Sequence, residues 1–507
     1  MKKLLCLLLV TMLLIPSAAV LANEAPLEIS MYYSDNATLP FRADWPALVA
    51  IQKKYNVKLN IEPIPIADYA TKVDLALSNG KNAPDVIVGT STAGKNASLA
   101  LAGAIVPISD YSEWTPNFNA YVKEFGLEEN VNSLTLSDGK RYYMPSLYDR
   151  PFYDGGLIMR EDYLEAKGLK APKTYDDLYN ILKAYKADNP DSYPLTTIVA
   201  PRVLYRMTMP SFGMSVGLNS ATGTGTLSWD YAKKEYFAGA ISEQYKSFIT
   251  FFSKLYAEGL LDPEMTQDST STANKLATGK AMATYGYYDQ IGGWEQGSKI
   301  EGLKLQMYPP LEGSAGAHHQ PKNSTGGGLV FPIGTSKRAD FEQVVRKIDE
   351  IFFSKEASTI WCIGIEGDSY TMDGDKIVYN DKIKAAPEGI YKYMQNAYGV
   401  GCDGLQLVWI NAREMTKYDE NYAAINAAVA KMDDAIQYIP PTPTFDDVTA
   451  EDAALLQAAL LDTFEVWNDA FLTGKKSIEN DWDAYVKEMQ DKGIEDFLKI
   501  YNTNKKI

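Results

Sequence analysis

Leu27-Glu28-Ile29-Ser30-Met31-Tyr32-Tyr33, Trp45 to Tyr55, and Val57-Lys58-Leu59-Asn60-Ile61-Glu62-Pro63-Ile64 follow one another and set the fold class. The first reads as a strand. The second reads as a helix with Pro46 in its first turn, where the missing N–H is harmless. The third alternates apolar and polar residues, as a half-buried strand does. Tyr69 to Leu77 keeps helical spacing, Asp85-Val86-Ile87-Val88 is a short buried strand, and Lys95 to Ala102 is a further helix. Strand and helix alternating in this way imply βαβ units and a mainly parallel sheet, an α/β fold.

Later segments extend the pattern. Thr174 is an N-cap, with Asp176 and Asp177 near the positive helix end. Phe341, Val344, Val345, Ile348, Ile351 and Phe352 share one helix face, and Leu455 to Phe471 repeats that spacing up to Gly474. Thr371 to Lys376 reads as a hairpin tip. The loosest stretches are Gly213 to Gly225, Gly313 to Gly328 and Tyr438 to Thr444.

The 507 residues carry 49 Lys plus Arg against 65 Asp plus Glu, a net charge of −16. Nucleic-acid backbones and anionic membranes need a basic footprint, so neither is an expected partner. Three Cys exclude a disulfide-framework scaffold, and two adjacent His leave little for imidazole chemistry. The 34 Tyr against 17 Phe hint at surfaces that meet polar ligands.

Residues 1–22 read as a signal peptide. Met1-Lys2-Lys3 is a basic start, Leu4 to Ile15 is apolar, and Val20-Leu21-Ala22 suits cleavage after Ala22. The apolar run is shorter than the roughly 20 residues that span a bilayer. Cys6 lies inside that run, not at the cleavage point, so export without a lipid anchor is expected. Removing Lys2 and Lys3 moves the charge from −16 to −18. Cys362 and Cys402 then meet an oxidising space, where a disulfide and two buried thiols both stay open.

Catalytic motifs fare poorly. Gly89-Thr90-Ser91-Thr92-Ala93-Gly94-Lys95 matches a phosphate loop, but Asn96 stands where Ser or Thr would hold Mg²⁺. A small polar loop at a strand's C-terminal end, where open α/β sheets bind ligands, fits better. Gly213-Met214-Ser215-Val216-Gly217 matches a nucleophile elbow, yet Pro210 and the Gly/Thr/Asn/Ser run after Leu218 do not supply the strand and helix it needs. No HExxH, CxxC pair or complete EF-hand loop is present. No catalytic residue, metal or cofactor is expected.

A set of short blocks, in order, resembles bacterial extracellular solute-binding proteins, the carbohydrate receptors of ABC importers, and most resembles their large lipoprotein-like, oligosaccharide-binding branch (family 1). The blocks are Asn82-Ala83-Pro84-Asp85-Val86-Ile87, Gly103 to Ile108, Leu157 to Leu164 with Gly168-Leu169 and Pro172-Lys173-Thr174, Leu255 to Glu264, Gly279-Lys280-Ala281-Met282, Ile363 to Gly367, and Trp482 to Ile494. Some members of that branch carry a calcium loop after the helix that follows Thr174. The corresponding Asp188 to Pro194 lacks its later oxygen ligands and Gly, so no calcium is expected there.

The resemblance implies a two-lobe periplasmic-binding-protein fold with hinge crossings and a ligand cleft. It implies lobe one from 23–145 plus 305–390 and lobe two from 146–304 plus 391–507. It also implies a monomer that captures a solute by closing and delivers it to ABC-transporter permease subunits. Sugar rings stack on Trp or Tyr and their hydroxyls meet charged or amide groups. On that basis Tyr33, Ser91, Thr92, Asp149, Arg150, Tyr153, Tyr285, Tyr288, Trp294, Trp361 and Trp409 are the candidate ligand residues. They come from clusters such as Tyr148 to Tyr153 and Tyr285 to Asp289, while Trp229 and Trp467 read as structural. A neutral oligosaccharide is the expected ligand. A peptide or other polar solute, and an exported glycosidase, are the alternatives.

Overall fold

The structure, a computed structural model, describes residues 25–505 apart from 38, 81, 91–94, 150–154, 199–201, 216–225, 266, 268, 320–324, 375, 387, 403, 410–430, 432–442 and 444. The expected signal peptide lies outside the described residues. So do Ser91, Thr92, Arg150 and Tyr153.

The described strands in chain order are β1 Leu27–Asp35, β2 Val57–Pro65, β3 Val86–Thr90, β4 Met144–Tyr148, β5 Gly155–Arg160, β6 Leu195–Thr197, β7 Ser228–Asp230 and β8 Glu235–Phe237. They continue with β9 Ala283–Tyr287, β10 Leu305–Tyr308, β11 Glu312–Gly313, β12 Gly316–Ala317, β13 Thr325–Val330, β14 Tyr370–Asp373, β15 Lys376–Tyr379 and β16 Val408–Trp409. Two sheets organise the molecule. One has the order β16-β4-β13-β3-β1-β2 and the other β10-β5-β9-β6. Helices pack on both, giving a two-lobe α/β fold.

The opening βαβ units form as their periodicity predicts. β1 pairs in parallel with β2 and with β3. Helix Pro46–Lys54 begins on its proline, and Ile66–Asn79 and Lys95–Leu101 follow the strands before them. In this first sheet only β13 runs antiparallel to its neighbours. The second sheet is mixed, because β5 is antiparallel to both β9 and β10.

β13 departs from the sequence reading, which placed its first four residues in a loose loop. Thr325-Gly326-Gly327-Gly328 instead enters the centre of the first sheet. A side chain at Gly328 would bring Cβ to 1.8 Å from Met144 O, so the strand fits between β3 and β4 because it is bare there.

The lobes have separate apolar cores. One gathers β1, β3, β4, helix Phe341–Phe353 and residues up to Val408. The other gathers β5, β9, β10, helix Glu243–Ala257 and the C-terminal helices Asp447–Leu472, Ile478–Asp491 and Ile494–Asn504. Strand pairing moves the expected boundaries. β4 keeps 146–148 in the first lobe. β10 begins just after the expected 304/305 break but pairs with β5, so 305–311 pack with the second lobe. Ile390, Met394, Val400, Leu405 and Val408 are buried in the first core, so 391–409 stay there. Partners distant in sequence decide these points, and local composition does not mark them.

Several blocks that carry the family resemblance do scaffold work. Asp85 accepts hydrogen bonds from the Ser30 backbone N–H and hydroxyl, both at 2.8 Å, and pairs with Arg338 at 2.8 Å. Thr174 forms a capping box with Asp177. Asp262, 1% exposed, accepts from Thr196 Oγ1 at 2.8 Å, Gln267 Nε2 at 3.1 Å and Lys275 Nζ at 2.6 Å. Burial disfavours charge on Lys275, but its bonds to Asp262 and Glu264 outweigh that and raise its pKa. Within residues 188–194, two oxygen atoms meet lysine ammonium groups. Lys186 Nζ donates to Ser192 O at 2.5 Å and Lys167 Nζ lies 2.9 Å from Asp188. Cys362 and Cys402 are buried thiols, not a disulfide.

Candidate functional site

The pairing registers place the C-terminal ends of β3, β4 and β16 beside the N-terminal end of β13. This edge is where a parallel sheet offers its ligand crevice. β4 ends on Tyr148 and β16 on Trp409, which are register partners. Their rings stack at 5.5 Å between centroids and 15° between planes. Both are half-buried, so the stack keeps an exposed side. Gly326 packs below Tyr148, where a Cβ would lie 3.5 Å from the ring. Asp149, also half-buried, donates its backbone N–H to Trp409 O at 3.2 Å and so fixes the two strand ends together.

The chain leaves the first sheet at Tyr148 and enters the second at Gly155. There Gly155 opposes Tyr287 and Gly156 opposes Gly286. A Cβ at Gly155 would sit 2.2 Å from Gly286 O, so the strands close on each other only with glycine there. Tyr287 is half-buried at the end of β9, and the Arg206 guanidinium lies 5.6 Å from its ring centroid. Each lobe therefore presents an aromatic face beside the same crossing.

The expected site residues divide. Trp409 and Asp149 reach this edge. Tyr33 is 3% exposed and packs on Phe41 at 5.4 Å in the first core. Tyr285, Tyr288 and Trp294 are 3%, 6% and 6% exposed and belong to the second core. Trp361 is corrected outright. It is 1% exposed, stacks on Phe352, and donates Nε1–H to Ile351 O at 2.8 Å, which fully explains an internal indole. Tyr148 and Tyr287 belong to the same sequence clusters as the expected residues but are half-buried at strand ends. Their position as the last residue of a strand was the available signal. Arg206 and Gly326 had no local signal.

Met209–Phe212, ahead of the GxSxG match, is a 3₁₀ turn and not a strand. Among the described residues no group of three or more His, Cys, Asp or Glu could hold a metal ion. Among them also, no helix is long and apolar enough to cross a membrane.

Comparison with known proteins agrees with this architecture. Residues 47–365 match the family model of bacterial extracellular solute-binding proteins. The polygalacturonan/rhamnogalacturonan-binding protein YtcQ of Bacillus subtilis (strain 168) is 25% identical over 337 residues, 65% of this chain and 64% of that protein. The fructooligosaccharide ABC transporter substrate-binding protein FusA of Streptococcus pneumoniae is 23% identical over 304 residues, 56% of this chain and 53% of that protein. The chain thus spans under two thirds of the length of these curated relatives. Among solved structures, the alginate-binding protein AlgQ2 without calcium ion superposes with a TM-score of 0.76 at 18% identity, covering 95% of this chain and 98% of that one. FusA in complex with kestose gives 0.70 at 19%, covering 94% and 98%. The match of the family model to residues 47–365, more than half of the chain, places this protein in the bacterial extracellular solute-binding protein family.

Proposed function

We propose that the protein is a sugar receptor of an ABC importer. It holds an oligosaccharide between the two sheet edges and releases it to permease subunits, without making or breaking a bond. The Tyr148–Trp409 stack carries the reading. A flat, half-exposed aromatic pair beside polar backbone suits the C–H face of a pyranose, and Tyr287 offers a second face. The names of YtcQ, FusA and AlgQ2 all refer to saccharide binding, which supports the class. The lobes of this receptor are 25–148 with 325–409, and 155–311 with 445–505. The working form is an exported, unanchored monomer.

A neutral oligosaccharide fits the net charge of −16 and Asp149 beside the stack. One observation favours a second reading. Arg206 over Tyr287 could pair with the carboxylate of an acidic sugar. A thermal-shift panel of neutral and uronate-containing oligosaccharides and of peptides tests both. A ligand at 100 times its Kd stabilises the native state by about 2.7 kcal/mol. A shift with peptides alone would overturn the sugar reading, and steady release of reducing ends would overturn the receptor reading.

A further inference from the structure

Helix Ile291–Gln296 follows β9 at the cleft edge of the second lobe, and two of its six residues are Gly292 and Gly293. Glycine is a poor helix former, so its use twice in so short a helix calls for a packing reason. The helix is firmly held within its own lobe. Trp294 is 6% exposed in the second core, and Glu295 accepts the Leu305 backbone N–H at 2.7 Å. What lies over Gly293 comes from the other lobe. A Cβ there would be 3.5 Å from the backbone oxygen of Glu388. Glu388 lies two residues before Ile390, which is buried in the first core, and precedes Gly389 at φ 82°. Gly293 and Glu388 are both half-buried.

We propose that Gly293 is a positioning residue on which the two lobes rest against each other in the ligand-free protein. Alanine just reaches ordinary van der Waals distance. A longer side chain meets the Glu388 backbone and holds the lobes apart. The inference rests on the two-lobe receptor reading, but its tests need no ligand, so failure to find a sugar leaves them decisive.

In the ligand-free protein, Gly293→Cys combined with Glu388→Cys is treated with mild oxidant, and separately with a short bis-maleimide. The expected result is loss of both introduced thiols and one cross-linked peptide by mass spectrometry, absent from either single variant. If both thiols remain open to alkylation under both treatments, the lobes do not meet there and the proposal is overturned. Gly293→Phe is the second measurement. It should keep its melting temperature within about 2 °C of wild type while its radius of gyration by X-ray scattering increases, and Gly293→Ala should match wild type in both. An unchanged radius overturns the proposal, as does unfolding of Gly293→Phe, which would mean that Gly293 packs inside its own lobe.

Discussion

Replacing Asp262 by Ala removes the acceptor at the centre of the second lobe's polar cluster, and the loss can be worked from its neighbours. Breaking a well-buried ion pair from one side costs about 3–5 kcal/mol. Lys275 is 18% exposed and keeps Glu264, which is 69% exposed and screened by solvent. The charge contribution therefore falls to about 1–2 kcal/mol. Thr196 and Gln267 lose a shared acceptor in a buried site, which adds about 1–2 kcal/mol. The expected total is about 3 kcal/mol, or a drop of about 6–12 °C in Tm for a lobe of this size. Because the Lys275 pKa is raised, the pair's contribution is complete below the unfolded lysine value of 10.5 and fades as pH climbs past the folded value. Measurements at pH 7 capture all of it. The assay is urea unfolding of the wild type, Asp262→Ala, Lys275→Met and the double variant, with hydrogen exchange at β6 reporting the second lobe. The double variant should lose at least about 1 kcal/mol less than the two singles together. A loss below about 1 kcal/mol for Asp262→Ala, or simple additivity, would refute the reasoning.

Other expectations follow from the same geometry. Tyr148→Ala and Trp409→Ala should each weaken sugar binding about 10–100-fold by calorimetry while leaving Tm almost unchanged. Gly328→Ala should prevent stable folding of the first lobe, because Cβ would meet Met144 O at 1.8 Å, whereas Gly326→Ala, with 3.5 Å to Tyr148, should fold normally by circular dichroism. Arg141 is 6% exposed, its pKa is pushed down to about 10 by burial, and it leans on the Phe118 ring at 4.8 Å. Arg141 Nη1 also donates to Tyr143 O, so Arg141→Met should cost about 1–3 kcal/mol by urea unfolding, and no loss would show that the bond contributes nothing. A chelator should leave Tm unchanged, and Lys186→Met should lower it, because Lys186 holds the Ser192 carbonyl where the related segment carries calcium.

The first 120 residues were readable because each element there is amphipathic on its own period. The Thr174 cap and the face from Phe341 to Phe352 were readable for the same reason, being local chemistry. β13 was not, because Gly326-Gly327-Gly328 looks like a loop until β3 and β4 close on it. Nor were the crossings, since β10 is assigned to its lobe by pairing with β5, about 150 residues earlier. At the candidate site, the sequence offers many Tyr and Trp and does not distinguish them. Exposure separated them, and exposure depends on where each strand stops. Trp361 and Trp409 look alike as letters, yet one is sealed in a helix face and the other ends a strand.

The way each lobe is assembled from two widely separated stretches of the chain has a consequence for biogenesis. During synthesis the first sheet lacks β13 until residue 330 and β16 until residue 409. The second core waits longer, for Phe464, Tyr485 and Tyr501. Each lobe must close a very long loop before its last strand or helix is rewarded, and such topologies fold slowly. A nascent chain of this design stays incomplete until nearly its last residue has emerged. Trimming the final 60 residues would thus remove a wall of the second lobe, not a tail.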